Sequence, residues 1–229
     1  MELVIEHQET SPSVVHLTLT PDEALTELAD GLALGANAGE DAAIWLHGST
    51  AERAEILAAT GRTSKRTLLQ MRLPLPADAS GIETRAFTPD DIDEFVAVNN
   101  RAFSWHPEQS GLTREKVEAD MAAAWFDPDG FRLHHIDGEL AGFCWTKVHA
   151  ATDDDPALGE IYVIAVDPPF HGRGLGKAMS LAGLEWLATA GLDTGMLYVE
   201  SDNAAAVATY ERIGFTTYRE DTLWRHTWA

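Results

Sequence analysis

The chain has a single cysteine, Cys144, which excludes an internal disulfide framework and suits a reducing cytoplasm. Bases are scarce: 16 Lys and Arg stand against 37 Asp and Glu, a formal net charge of −21. So acidic a surface repels phosphate backbones and argues against a nucleic-acid partner. Any anion site must therefore be local, built from backbone N–H groups and a few cations. No apolar run is long enough to cross a bilayer as a helix, so no membrane partner is expected. The opening "MELVIEHQET" has no basic stretch followed by an apolar one, and no signal peptide is expected. What remains suffices for a real core: 229 residues, 45% of them hydrophobic, fit one large domain or two modest ones. The chain is read as a cytoplasmic monomer.

Prolines, small residues and a glycine cluster in "RLPLPADASG" (72–81), which separates two patterned regions. The reading places a first domain at 1–75, a linker at 76–81 and a second domain at 82–229. The first reads as β-α-β-α-β: strand "SVVHLTL", helix "PDEALTELADGLALG", strand "AAIWLHG", helix "TAERAEILAATG", strand "SKRTLLQMRL". In the second, "GIETRAFT" is a predicted strand. The spacing of Ile92, Phe95, Val96 and Asn99 predicts a helix, and "TREKVEADMAAAWF" another, capped by Thr113. "GFRLHHIDGELAGFCWTKVHA" reads as a hairpin turning at Asp137-Gly138. "GEIYVIAV" is a β-branched strand expected to be buried on both faces. A helix from about Gly174 to Ala190, strand "GMLYVES", helix "NAAAVATYERIG" and two closing strands, "FTTYRED" and "LWRHTWA", complete an α/β class with a mixed sheet. "AAIWLHGSTAERAEILAATG" faintly echoes "GMLYVESDNAAAVATYERIGF", which makes divergent duplication plausible.

Chemistry concentrates in "VDPPFHGRGLGKA" (166–178). A glycine-rich turn between a strand and a helix exposes N–H groups where the helix dipole also favours negative charge. The dinucleotide fingerprint G-x-G-x-x-G fails, because it needs glycine where Lys177 stands. The Walker loop fails twice, at His171 and Ala178. The pattern Q/R-x-x-G-x-G/A after V-D-P does match, at Gly174 and Gly176, with His171 in the first position. A tight strand–helix connection is the bland alternative. A second landmark follows in register: N-x-x-A-x-x-x-Y-x-x-x-G-F falls on Asn203, Ala206, Tyr210, Gly214 and Phe215.

Together these two stretches resemble the GCN5-related N-acetyltransferase (GNAT) family. The resemblance implies the GNAT fold with a mixed central sheet, and acetyl-CoA as co-substrate with no metal. It places the pyrophosphate on His171, Gly172, Arg173, Gly174, Leu175, Gly176 and Lys177. The pantetheine arm would lie along Ile164, Ala165 and Val166, with further CoA contacts at Asn203, Ala204, Ala205, Ala206, Val207 and Ala208. Tyr210 would protonate the departing thiolate. No acyl-enzyme is required, so Cys144 is read as a buried structural thiol. His171 departs from the glutamine or arginine usual there; it is expected to act through its backbone.

Three further stretches, "VNNRAFSWHPEQSG", "GFCWTKVH" and "GEIYVIAVDP", resemble the mycothiol synthase branch of that family over roughly 82–219. That branch acetylates the cysteinyl amine of cysteinyl-glucosaminyl-inositol. The resemblance implies substrate contacts at Glu108, Lys147, Glu160 and Tyr198, with Glu160 also helping to deprotonate the amine. Each has a plainer reading: Lys147 as a solvated strand lysine, Glu108 as a loop charge, Tyr198 as core, Glu160 as a bystander. Residues 1–75 resemble a truncated GNAT-like domain without a CoA loop, shorter than the branch's usual first domain. Two rivals stay open: a GNAT enzyme acting on another amine, such as a protein N-terminus or amino sugar, and a non-catalytic acyl-CoA sensor. His134 and His135, being adjacent, make a poor metal pair, and "TDDDP" reads as a solvated loop. Of Trp105, Trp125 and Trp145, at least two are expected to be core.

Overall fold

The computed structural model describes residues 2–6, 14–18, 43–104, 110–153 and 155–226. Along them run β1 (Glu2–Glu6), β2 (Val14–Thr18), β3 (Ala43–His47), helix α1 (Ala51–Ala59) and β4 (Arg62–Pro74). Then come β5 (Arg85–Ala86), α2 (Ile92–Ala102), α3 (Arg114–Met121), β6 (Phe131–Ile136), β7 (Glu139–His149) and β8 (Leu158–Val166). The chain closes with α4 (Leu175–Thr189), β9 (Thr194–Glu200), α5 (Ala204–Ile213) and β10 (Thr216–His226). The expected helix "PDEALTELADGLALG" lies outside the described residues, as do Trp105 and Glu108.

Two compact units share this chain, which passes between them within β4, β9, α5 and β10. One holds residues 1–71, 198–207 and 217–229, the other 72–197 and 208–216. In the first unit the strand order is β1-β2-β3-β10-β4-β9. There β1 runs antiparallel to β2, β2 parallel to β3, and β3 antiparallel to β10. Asp221 is its polar centre. Buried at 2% exposure, it accepts from Gly48 N at 2.9 Å, and its other carboxyl oxygen lies 2.9 Å from His47 Nδ1.

In the second unit the order is β4-β9-β8-β7-β6-β5, mixed as expected. Antiparallel pairs join β5 to β8, and β8 runs parallel to β9. The hairpin turns where the Asp-Gly pair predicts: Asp137 and Gly138 have φ of 54° and 87°, the left-handed conformation such a two-residue turn demands. On one face of this sheet, Phe87, Phe95, Phe131, Phe143 and Trp145 form the aromatic core beneath α2 and α3. Phe87 stacks on Phe131 with centroids 4.4 Å apart, and Phe95 meets Phe131 edge-on at 4.9 Å. Truncating one such ring costs about 3–5 kcal/mol. On the other face α4 packs closely because Gly183 has no Cβ. One built there would collide with Cys144 Sγ. Cys144 is fully buried, which pushes its thiol up to about 12 and makes it structural.

Several expectations need correcting. A strand precedes "SVVHLTL" where none is expected: β1, with Leu3, Val4 and Ile5 between two glutamates. β4 extends to Pro74, taking the first residues of the proline-rich seam into a strand. "GIETRAFT" gives only the two-residue β5, since its pairing is limited to Arg85 and Ala86 against β6. α2 buries Val98 rather than Val96 beside Ile92, Phe95 and Asn99. β8 is not buried on both faces, for Tyr162 is 39% exposed. The two closing strands are one, β10. The acidic loop is anchored by Asp155, which takes a bidentate pair from Arg72 at 2.6 and 2.7 Å.

Candidate active site

β8 gains its shape from one extra residue. Opposite the adjacent pair Trp145 and Thr146 stand Val163 and Ile161, so Tyr162 is bulged. A bulge turns two consecutive side chains to one face and leaves backbone groups unpaired. Tyr162 accordingly joins Trp145 and Trp125, with centroids 5.6 and 5.3 Å away, on the face covered by α2 and α3. Within this unit β8 pairs with β9 from Gly159 to Ile161, and β8 continues to Val166. Ile164, Ala165 and Val166 lie in this last stretch of β8, beyond the bulge.

Past Val166 the backbone turns under tight control. Asp167, 5% exposed, takes a bidentate pair from Arg101 of α2 at 2.9 and 2.7 Å, and its N–H donates to Ala141 O. His171 places Nε2 2.9 Å from Val166 O, so its ring ties the loop back to the strand end. The expected backbone role of His171 thus gains a side-chain one. Gly172 and Gly174 adopt φ of 78° and 77°, a conformation costly for other residues. A Cβ at Gly172, Gly174 or Gly176 would meet no atom within 4 Å. These glycines therefore border open space, and the bland reading of glycine for tight packing fails. Gly174 caps α4 with no side chain, and no acidic residue occupies the first turn. Arg173 lies over the Phe170 ring at 5.1 Å, and both Arg173 and Lys177 are exposed. The arrangement fits an anion held by α4's N–H groups and two cations.

On the α2–α3 face, Lys147 and Glu160 are direct cross-strand partners of β7 and β8 and so share a side. The Lys147 ammonium sits 4.7 Å from the centre of the Trp125 ring and 5.3 Å from that of Tyr162, an orientation unlike that of a solvated strand lysine. Glu160 is 8% exposed and is hydrogen-bonded to His149 Nε2 at 2.7 Å. Next to Tyr162 opens a cavity of about 290 Å³, whose polar wall comprises Asn99, Lys116, Asp120 and the Tyr162 phenol. Burial, then the charges of Asp120 and Glu160, push that phenol's pKa above its ordinary value. Trp145, fully core apart from this wall, presents a buried indole N–H with no partner.

Tyr210 projects from α5, edge-on to Phe215 at 5.8 Å. Burial pushes its phenol up to about 12, so it keeps its proton throughout the neutral range. Tyr198 is 39% exposed rather than core, and its hydroxyl accepts from Gln70 Nε2 at 2.6 Å and Arg219 Nη2 at 3.4 Å. Asn203 accepts from Ala206 N at 3.2 Å, which starts α5; Ala204, Ala205, Ala206, Val207 and Ala208 form its first turns. Sequence reasoning missed His149, Tyr162, Lys116, Asp120 and Gln70. The first two sit within quoted motifs, two residues from Lys147 and from Glu160, so strand alternation alone places them on the same face.

A bulged strand ahead of a glycine-opened helix start fits an acyl-CoA-type acetyltransferase scaffold. Accordingly, the acetyltransferase (GNAT) family profile matches residues 94–215, and the chain belongs to that family. Within it, the chain is similar to a mycothiol acetyltransferase of Rhodococcus erythropolis, 44% identical over 189 residues, covering 78% of this chain and 63% of the relative. It is 41% identical over 240 residues to one from Mycolicibacterium paratuberculosis, covering 95% and 75%. The chain thus spans under two thirds of the first relative's length. Among solved structures, a GNAT enzyme from Sphaerobacter thermophilus superposes with a TM-score of 0.76 at 19% identity, covering 97% of this chain and 75% of that one. This last likeness concerns the fold alone.

Proposed function

We propose that this chain is an acetyl-CoA-dependent N-acetyltransferase of the mycothiol synthase type, which acetylates the cysteinyl amine of cysteinyl-glucosaminyl-inositol. The observation that carries the reading is the 44% identity to an enzyme named mycothiol acetyltransferase over most of this chain. In this reading residues 82–229 form the catalytic domain, 76–81 a linker and 1–75 a supporting domain without a CoA loop, and the enzyme works in the cytoplasm.

The residues present fit the co-substrate. Open space beside Gly172, Gly174 and Gly176 suits a pyrophosphate, which His171–Lys177 would hold with Arg173 and Lys177 as local cations. The edge at Ile164–Val166 would take the pantetheine arm, and Asn203–Ala208 would add contacts. Bound there, acetyl-CoA supplies an activated acetyl group and a thiol leaving group. Backbone N–H groups of β8 would polarise the carbonyl. Glu160, buried opposite Lys147, attracts the substrate ammonium and removes its proton. Lys147, Tyr198 and Glu108 bind the sugar–inositol through several hydrogen bonds. Tyr210, proton-bearing at neutral pH, donates to the departing sulfur.

The test is an assay of purified protein with acetyl-CoA and cysteinyl-glucosaminyl-inositol, the product thiol being labelled and resolved. N-acetylated product is expected. No such product, alongside acetylation of another amine by the same preparation, overturns the substrate.

A further inference from the structure

Acylating an ammonium removes two protons from its nitrogen, while the departing sulfur takes up only one. One proton per turnover must therefore reach water. The group proposed to accept it, Glu160, is 8% exposed and cannot discharge directly to solvent at speed. Among the described residues, its hydrogen bond toward the outside is to His149. Nε2 of that ring is 2.7 Å from Glu160 Oε2, and its side chain is 36% exposed. The two residues lie on adjacent strands, with His149 two positions beyond Lys147 and thus on the same face.

We infer that His149 is the proton exit of the site, a positioning and relay residue that acts through Glu160; the inference rests on the proposed acetyl transfer. The N–H bond of the ammonium breaks as an O–H bond forms on Glu160. That proton crosses the short hydrogen bond to Nε2 of a ring carrying its hydrogen on Nδ1. The imidazolium gives up the Nδ1 proton to water, and rotation of the ring turns an unprotonated nitrogen back to Glu160 before the next turnover. Glu160 returns as carboxylate, ready for the next amine. Charges around the pair favour this direction. Lys147 stands opposite Glu160 on β7, and Tyr162 follows on β8. From α3, Lys116 and Asp120 face Tyr162, while β9 places only Met196 beside Glu160. Beyond His149, Asp153 and Asp155 follow in the loop, the latter held by Arg72. A cation at Lys147 disfavours a proton lingering on the carboxyl's inner side, and the His149 ring offers a hydrogen-bonded path outward.

A purely structural pair needs only a donor at this position, whereas a relay needs an ionisable one. His149→Gln retains a hydrogen bond to Glu160 but cannot carry a proton. Both His149→Gln and His149→Ala are expected to lower kcat at least tenfold with little change in KM for acetyl-CoA, and added imidazole restores part of the His149→Ala rate in proportion to its concentration. Near-full activity of His149→Gln, or no response to imidazole, overturns the relay. If wild type acetylates another amine rather than the cysteinyl sugar, the substrate reading fails, and the same comparison is made on that amine. A second readout needs no turnover: NMR of the His149 ring nitrogens in wild type and Glu160→Gln. Loss of the carboxylate is expected to move the Nε2 resonance, and an unchanged resonance refutes the coupling.

Discussion

Two strand-to-helix junctions, β3 to α1 and β8 to α4, solve the same problem in opposite ways. A helix start leaves backbone N–H groups without partners, and something must satisfy them. At α1 the protein does so itself. Thr50 accepts from Arg53 N at 3.3 Å, Arg53 in turn donates to Gly48 O at 2.8 Å, and Gly48 N is taken by Asp221. Glu52 adds a negative charge to the first turn. At α4 none of this exists: Gly174 caps without a side chain, no acid occupies the first turn, and three glycines face open space. α3 and α5 close themselves like α1, through Thr113 and Asn203. α2 lacks a side-chain cap but carries Asp93 and Glu94 in its first turn, so among these helices α4 alone has neither cap nor acid. This contrast separates an anion site from ordinary capping in a chain of net charge −21.

The sharpest way to break the contrast is to close α4. Gly176→Asp places a carboxylate in the first turn, at a position with room for a side chain and no left-handed backbone. The helix itself should gain about 0.3–1 kcal/mol from its dipole. Binding of CoA, measured calorimetrically, should weaken by about a hundredfold, since a fixed charge competes with the pyrophosphate for the same donors. Unchanged affinity shows that this helix start does not hold the anion.

A smaller effect is expected at Tyr210, where the internal echo gives its own comparison. Counted from the caps Thr50 and Asn203, the same register holds Leu57 in α1 and Tyr210 in α5, and each helix ends before a left-handed glycine, Gly61 or Gly214. Leu57 is wholly buried hydrocarbon, whereas Tyr210 adds a hydroxyl. Tyr210→Phe should therefore fold normally, bind CoA as before and lose about tenfold or more in kcat. The sign of the pH effect follows from burial. A phenol raised from 10.0 to about 12 keeps its proton at neutral pH, and the stability this gives is lost as pH rises through that window. Thermal melts of wild type should fall between pH 10 and 12, and those of Tyr210→Phe should fall less. Equal losses of kcat and CoA affinity in the variant would remove the acid role.

Much of this was legible in the sequence, for identifiable reasons. Glycines at Gly172, Gly174 and Gly176, the Asp137-Gly138 turn and the Tyr210 register are local signals, set by backbone conformation or helical spacing. Alternation groups His149 with Lys147 and Tyr162 with Glu160, but the pairing of those two sets across the strands depends on register, and the bulge at Tyr162 shifts that register by one. No local pattern announces such a shift. The same limit explains β8: its β-branched composition reads as buried, yet the bulge turns out Tyr162, which is 39% exposed. Likewise the length of β10 reflects its partners more than its own residues.

The mildest perturbation tests the closed junction. Thr50→Ala removes the oxygen that accepts from Arg53 N, and such a cap is worth about 1 kcal/mol. Glu52 and the Arg53–Gly48 bond remain, so α1 should fray without unfolding. Because Thr50 belongs to the self-capped junction, a denaturant midpoint should shift slightly while CoA affinity stays unchanged. The argument turns on that separation. Both helices begin after a strand and a left-handed glycine, Gly48 in one case and Gly172 in the other. If loss of a side-chain cap weakened CoA binding, helix starts in this chain would be interchangeable, and the openness of α4 would carry no meaning. If only stability moves, side-chain oxygens serve folding at α1, and their absence at α4 serves the ligand.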